Sequence, residues 1–129
     1  MFIEHLAFQH PDPVAAANWY QQHLGFSIVR SSDGPAHARF LADGAGKTVL
    51  EIYNNPSAPM PDYPALSPLV LHVALFSTNP EIDTTRLINA GATLIDAPVK
   101  TPSGDTLAML RDPWGIPLQI AHRAKPLIV

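Results

Sequence analysis

The chain has 129 residues, of which 47% are hydrophobic and 15% charged, with a formal charge of −3 and no cysteine. That size suits one domain or two small fused modules with a real core, and the mild charge leaves neither the basic footprint of a nucleic-acid binder nor a polybasic membrane patch. Disulfides and thiolate metal sites are excluded, and with no apolar run long enough to span a membrane and no secretory pattern a cytoplasmic setting is expected.

Residues Phe2 to Phe8 alternate as a strand, with Ile3, His5 and Ala7 on one face. Asp12 then reads as a helix N-cap with Pro13 in the first helical position, and the helix runs to about His23, where Gly25 ends it. Strands are expected at Phe26 to Arg30, His37 to Ala42 and Thr48 to Tyr53, separated by the loop 31–35 and the turn 43–46. The segment 55–67 carries Pro56, Pro59, Pro61 and Pro64 and reads as a stiff linker.

Beyond the linker the order repeats. Leu69 to Phe76 is an expected strand, and Asn79 with Pro80 opens a helix that runs to about Asn89 and closes at Gly91. Thr93 to Ala97, Asp105 to Arg111 and Ile116 to His122 follow as strands, the last two joined by the tight turn Asp112-Pro113-Trp114-Gly115. The expected organisation is a first module at 1–54, the linker, a second module at 68–123 and a tail at 124–129. Each module is strand, helix and three strands. The fold class is α+β: two βαβββ modules with curled mixed sheets, helices on the convex faces, and concave faces enclosing a cavity.

The two copies place metal-capable side chains at matching points. His5 and His72 open their modules, and Glu51 and Gln119 sit in the last strand of each. By strand alternation each lies among small or apolar residues on its face. A lone strand histidine is ordinarily a hydrogen-bonded core or surface residue. A carboxylate on such a face needs a partner, and a divalent cation held by two imidazoles and a carboxylate is one. Nickel, zinc, manganese, cobalt or iron would each tolerate such nitrogen and oxygen ligands.

The chain resembles the vicinal oxygen chelate superfamily, which includes glyoxalase, bleomycin-resistance proteins and extradiol dioxygenases. The resemblance is carried by Ile3-Glu4-His5-Leu6-Ala7, Trp19-Tyr20 with Leu24-Gly25-Phe26, and Leu50-Glu51-Ile52. It continues in Leu71-His72-Val73-Ala74, Ala90-Gly91-Ala92 and Leu110-Arg111-Asp112-Pro113-Trp114-Gly115. It implies metal ligands at His5, Glu51, His72 and Gln119, one divalent metal ion, a small-molecule substrate and a homodimer. The family usually has Glu where Gln119 stands, so the site has lost a carboxylate and Glu51 becomes the candidate proton-transfer base. An isomerase, epimerase or lyase reaction on a small oxygenated substrate is the expected chemistry. Metal-free sequestration of a small molecule and an extradiol-type dioxygenase reaction are the alternatives.

Arg39 and Tyr53 are candidate substrate-binding residues, Tyr53 because it shares the face of Glu51. Trp19 is expected in the core and Trp114, in its turn, as a packing plug or a subunit contact. His10, His23, His37 and His122 are expected at the surface.

Overall fold

The computed structural model describes residues 1–47 and 49–128. The chain divides into two compact units, Met1–Pro61 and Asp62–Val129, with the division inside the proline-rich segment.

The first unit contains β1 (Leu6–Gln9), α1 (Pro13–Leu24), β2 (Ser27–Ser31), β3 (Arg39–Ala42) and β4 (Val49–Tyr53). The second contains a short 3-10 turn at Tyr63–Ala65, then β5 (Val73–Phe76), α2 (Pro80–Asn89), β6 (Thr93–Lys100), β7 (Thr106–Arg111) and β8 (Pro117–His122). Each unit is thus one βαβββ module, and the class is α+β as expected. The strand orders are β1-β4-β3-β2 and β5-β8-β7-β6. In both, the outermost pair with the first strand is parallel and the remaining pairs are antiparallel. Among the described residues no helix is long and apolar enough to cross a membrane.

Local chemistry sets the helix ends. The Asp12 carboxylate accepts from Ala15 N at 3.0 Å, and Asn79 Oδ1 accepts from Ile82 N at 3.1 Å. Each satisfies an amide that the first helical turn leaves without a partner. Gly25 ends α1 in the left-handed region, with φ of 72°. On α1 the buried Pro13, Ala16, Ala17 and Tyr20 recur at helical spacing, and Trp19 is buried beside them. On the first sheet Leu41, Leu50 and Ile52 are buried and share a face by alternation; on the second, Leu110, Leu118 and Ile120 do so. These are the faces that meet the helices. Each fully buried Leu or Ile contributes about 1.5–3 kcal/mol to that packing.

Two long-range polar anchors hold the proline-rich segment, one in each unit. In the first, Gln9 Nε2 donates to the carbonyls of Asn55 and Ala58, both at 2.8 Å, and its Oε1 accepts from Asn55 N at 2.7 Å. In the second, Arg111 donates to the carbonyls of Tyr63, Leu66 and Gly115 at 2.9, 2.9 and 3.1 Å.

Several boundaries differ from expectation. β1 starts at Leu6, not Phe2, because its register with β4 begins at Leu6 opposite Leu50. β5 starts at Val73, not Leu69, because Ser67–Val70 forms a turn in which Val70 N donates to Ser67 O. β3 starts at Arg39 because His37 takes a positive φ of 47° that breaks the extended run. The expected Thr48 start of β4 and the final residue of the tail, Val129, lie outside the described residues. His10 is not a surface residue: it is wholly buried, with its backbone N donating to Tyr53 O and its Nδ1 accepting from Asp12 N. His23 and His122 are half-buried, and only His37 of the four is exposed.

Candidate functional site

The register places the site residues. In the first unit Ala7 on β1 pairs with Glu51 on β4; in the second Ala74 on β5 pairs with Gln119 on β8. Glu51 and Gln119 are therefore equivalent positions. Each lies on the strand face opposite the helix-facing leucine and isoleucine at its two neighbours. The alanine across from each is small, which leaves the carboxylate and the amide room to meet a ligand.

His5 and His72 are equivalent too, each standing immediately before the first strand of its module rather than within it. In the first unit the pair closes: His5 Nε2 lies 3.4 Å from Glu51 Oε2, with the side chains 37% and 19% exposed. His5 Nδ1 is hydrogen-bonded to the Glu4 carboxylate. Its imidazole also meets the Phe40 ring edge-on at 5.9 Å, and Phe40 is the β3 partner of Glu51. The Glu4 hydrogen bond, aided by the Glu51 charge, raises the His5 pKa above its ordinary value against a smaller opposing effect of burial. In the second unit His72 Nδ1 sits 2.8 Å from the Pro68 carbonyl. Both histidines thus engage Nδ1 with an oxygen acceptor, the arrangement that assigns the proton to Nδ1 and turns the Nε2 lone pair outward in metal-binding imidazoles.

The first unit offers an imidazole nitrogen and a carboxylate, the second an imidazole nitrogen and an amide oxygen, donors of the kind that divalent cations of intermediate hardness accept. Among the described residues no group of three or more His, Asp or Glu side chains converges as a metal cluster. Within the first unit His5 and Glu51 come within contact distance.

Of the two expected substrate-binding residues, Tyr53 stands with Glu51 by alternation along β4 and is half-buried. Arg39 does not stand with them. Its register partner is Ile52, so it projects to the other face. Its guanidinium donates to the carbonyls of Ser32, His37 and Ala38 at 3.0, 3.2 and 3.0 Å and lies 3.7 Å from Asp33. The side chain braces its own loop. Sequence reasoning missed Glu4, whose carboxylate orients His5; the signal was its place directly before that histidine.

A family model, the Glyoxalase/Bleomycin resistance protein/Dioxygenase superfamily, matches residues 2–120. The chain belongs to that superfamily. Similar solved structures include a glyoxalase/bleomycin resistance protein/dioxygenase family enzyme from Burkholderia phytofirmans PsJN, with TM-score 0.73 and 22% identity, covering 91% of this chain and 94% of that one. TioX from Micromonospora sp. ML1 aligns with TM-score 0.66 and 18% identity over 93% of this chain and 98% of its own. A glyoxalase I mutant from Zea mays aligns with TM-score 0.74 and 19% identity over 94% of this chain but 45% of its own. At these identities the likeness is one of fold. Comparison with curated proteins finds no match.

Proposed function

We propose that this chain is a metal-dependent, glyoxalase-like enzyme that moves a proton next to a carbonyl in a small oxygenated substrate, as an isomerase, epimerase or lyase. Its ligand set is His5, Glu51 and His72, with Gln119 as a neutral fourth ligand, and the working species is a homodimer. The observation that carries the reading is the contact of His5 Nε2 with Glu51 Oε2, in a module whose register is repeated by the module of His72 and Gln119.

A bound nickel, zinc, manganese, cobalt or iron ion would supply Lewis acidity to the substrate's oxygens. The remaining chemistry belongs to side chains. Glu51, the sole carboxylate of the four, takes the proton from the carbon beside the carbonyl and returns it. Glu4 holds the His5 ring in one orientation. Gln119 contributes an amide oxygen and no charge. Tyr53 contacts the substrate from the Glu51 face, and Arg39 serves by holding the 32–38 loop.

The loss of a second charged ligand at Gln119 favours another reading, in which the protein sequesters a small molecule without transforming it. One experiment separates the two. The protein is incubated in deuterium oxide with a panel of small α-hydroxy carbonyl compounds, and deuterium at the carbon beside the carbonyl is followed by NMR. Enzymatic exchange that Glu51→Gln abolishes supports proton transfer. Saturable binding without exchange, unchanged in Glu51→Gln, supports sequestration.

A further inference from the structure

The chain carries two Asp-Gly steps, Asp33-Gly34 between β2 and β3 and Asp43-Gly44 between β3 and β4, and the fold holds them in opposite ways. Such a step rearranges without any cofactor. The glycine nitrogen attacks the aspartyl Cγ, an N–Cγ bond forms, and a Cγ–O bond breaks. The amide proton and one proton from solvent leave with that oxygen as water, and a succinimide ring remains. Water then opens the ring. Cleavage of the new N–Cγ bond restores aspartate; cleavage of the original peptide bond leaves the chain running through Cγ, as isoaspartate. One water leaves and one returns, and nothing is oxidised or reduced. Glycine permits the attack because no Cβ crowds its nitrogen.

Asp43 is held away from this path. Its Oδ1 accepts from Ala45 N at 3.0 Å and Lys47 N at 3.2 Å, so the carboxylate is folded over its own turn. Turning Cγ onto Gly44 N would break both bonds. The Asp33 side chain is 97% exposed, and its contact among the described residues is the Arg39 guanidinium at 3.7 Å. A surface ion pair of that length restrains little. The Gly34 amide donates to Ser32 Oγ at 3.4 Å, a long bond. Neither reacting group at this step gives up a strong interaction.

The loop around Asp33 is built to one backbone length. Arg39 donates to the carbonyls of Ser32, His37 and Ala38. His37 N donates to Gly34 O at 2.9 Å, and Asn54 N donates to Ala36 O at 2.8 Å, which ties the loop to the residue after Tyr53. Isoaspartate inserts a methylene into the main chain between residues 33 and 34 and displaces the Gly34 carbonyl from His37 N.

We propose that Asp33 is a covalent ageing site, which isomerises to isoaspartate in the folded protein while Asp43 is protected, and that the product loosens the loop braced by Arg39. The exposed isoaspartyl carboxylate fits an enzyme that methylates such groups. No metal ligand takes part, so the proposed proton-transfer chemistry and this modification stand or fall separately.

The test incubates the full chain at neutral pH and physiological temperature in water enriched in the heavy oxygen isotope. Digestion with trypsin in ordinary water then releases Asp33 in the peptide 31–39 and Asp43 in the peptide 40–47. Electron-transfer fragmentation separates isoaspartyl from aspartyl forms, and an isoaspartyl-specific carboxyl methyltransferase counts them. Isoaspartate carrying one heavy oxygen should accumulate in the first peptide at least about tenfold faster than in the second. Unfolding in urea should erase the difference. Gly34→Ala places a Cβ at an ordinary 3.5 Å from Ser32 Oγ. It should slow the reaction about tenfold, and Asp33→Glu, which would need a larger ring, should abolish it. The isolated isoaspartyl form should exchange hydrogen faster at His37 N and Asn54 N. Equal rates at the two peptides of the folded protein, or a first peptide that stays aspartyl, would overturn the proposal. So would isoaspartyl protein whose exchange at both amides matches the unmodified form.

Discussion

Glu51 and Gln119 occupy one position in two copies of the same sheet: each lies on the strand parallel to its module's first strand, directly opposite an alanine, Ala7 in one case and Ala74 in the other. The two copies differ there by one charge. If both side chains serve the same cation, Gln119→Glu restores a second anionic ligand. The variant is expected to bind zinc or nickel at least about tenfold tighter than wild type in a competition titration with a chromophoric chelator. An unchanged affinity would remove Gln119 from the ligand set.

Gly115 is required by its neighbour. It has a φ of 93°, and an added Cβ would lie 2.6 Å from the Pro64 ring carbons and 2.7 Å from its backbone nitrogen. Neither the proline ring nor the backbone can yield, since Arg111 holds that segment by the Tyr63 and Leu66 carbonyls. Gly115→Ala is expected to cost roughly 2–4 kcal/mol in urea unfolding. Gly46→Ala is the control: its φ is also positive, at 70°, but nothing lies within 4 Å of the new Cβ. The φ penalty alone, roughly 1–2 kcal/mol, is expected there.

Gln9 tests whether the first half of the proline-rich segment is built into its unit. Three side-chain hydrogen bonds tie it to the backbone of Asn55 and Ala58. Gln9→Leu keeps most of the volume and removes all three. The expected loss is about 1–3 kcal/mol, measured by urea unfolding, with faster proteolysis in the 55–61 segment. Unchanged cleavage there would show that the segment is held by something else.

The helices were readable in the amino-acid sequence because their signals are local: Asp12 with Pro13 and Asn79 with Pro80 cap and start helices by contacts within three residues. The repeat carried the equivalence of His5 with His72 and of Glu51 with Gln119, because the module duplicates register as well as order. Strand starts were less readable. Alternation continues through Phe2 and Leu69, but a strand needs a partner, and pairing begins only at Leu6 and Val73. The bracing role of Arg39 was not readable, because its partners are loop carbonyls, among them that of Ser32, seven residues before it. The Gln9 and Arg111 anchors join residues more than forty positions apart, a distance that no local pattern encodes. His10 looked like a loop residue before two prolines; its burial depends on the Tyr53 carbonyl that receives its backbone amide.

Burial of His10 carries a pH dependence. Desolvation pushes its pKa down from 6.5 to about 4, against an opposing pull from Asp12. The unfolded chain therefore binds this proton more readily than the folded one. Above about pH 6.5 both states are neutral at this residue and its contribution is intact. As pH falls from about 6.5 toward about 4 the unfolded state gains protons first, and about 3 kcal/mol is lost. His10→Asn keeps an acceptor for the Asp12 amide and removes the ionisation. Its urea midpoint should lie below that of wild type at pH 7.5 yet fall less between pH 7.5 and pH 4.5. Parallel pH slopes for the two proteins would assign acid lability to other groups.

Metal content decides whether His5, Glu51 and His72 hold a cation. Wild-type protein purified without chelator or a nickel column is analysed by mass spectrometry of its metals, beside His5→Ala, Glu51→Ala and His72→Ala, with circular dichroism confirming that each variant is folded. Wild type is expected to hold about one divalent ion per site, and each variant to lose most of it. Folded variants that retain the full wild-type metal content, or a wild type that takes up no divalent ion when offered nickel, zinc, manganese, cobalt and iron in turn, would contradict it.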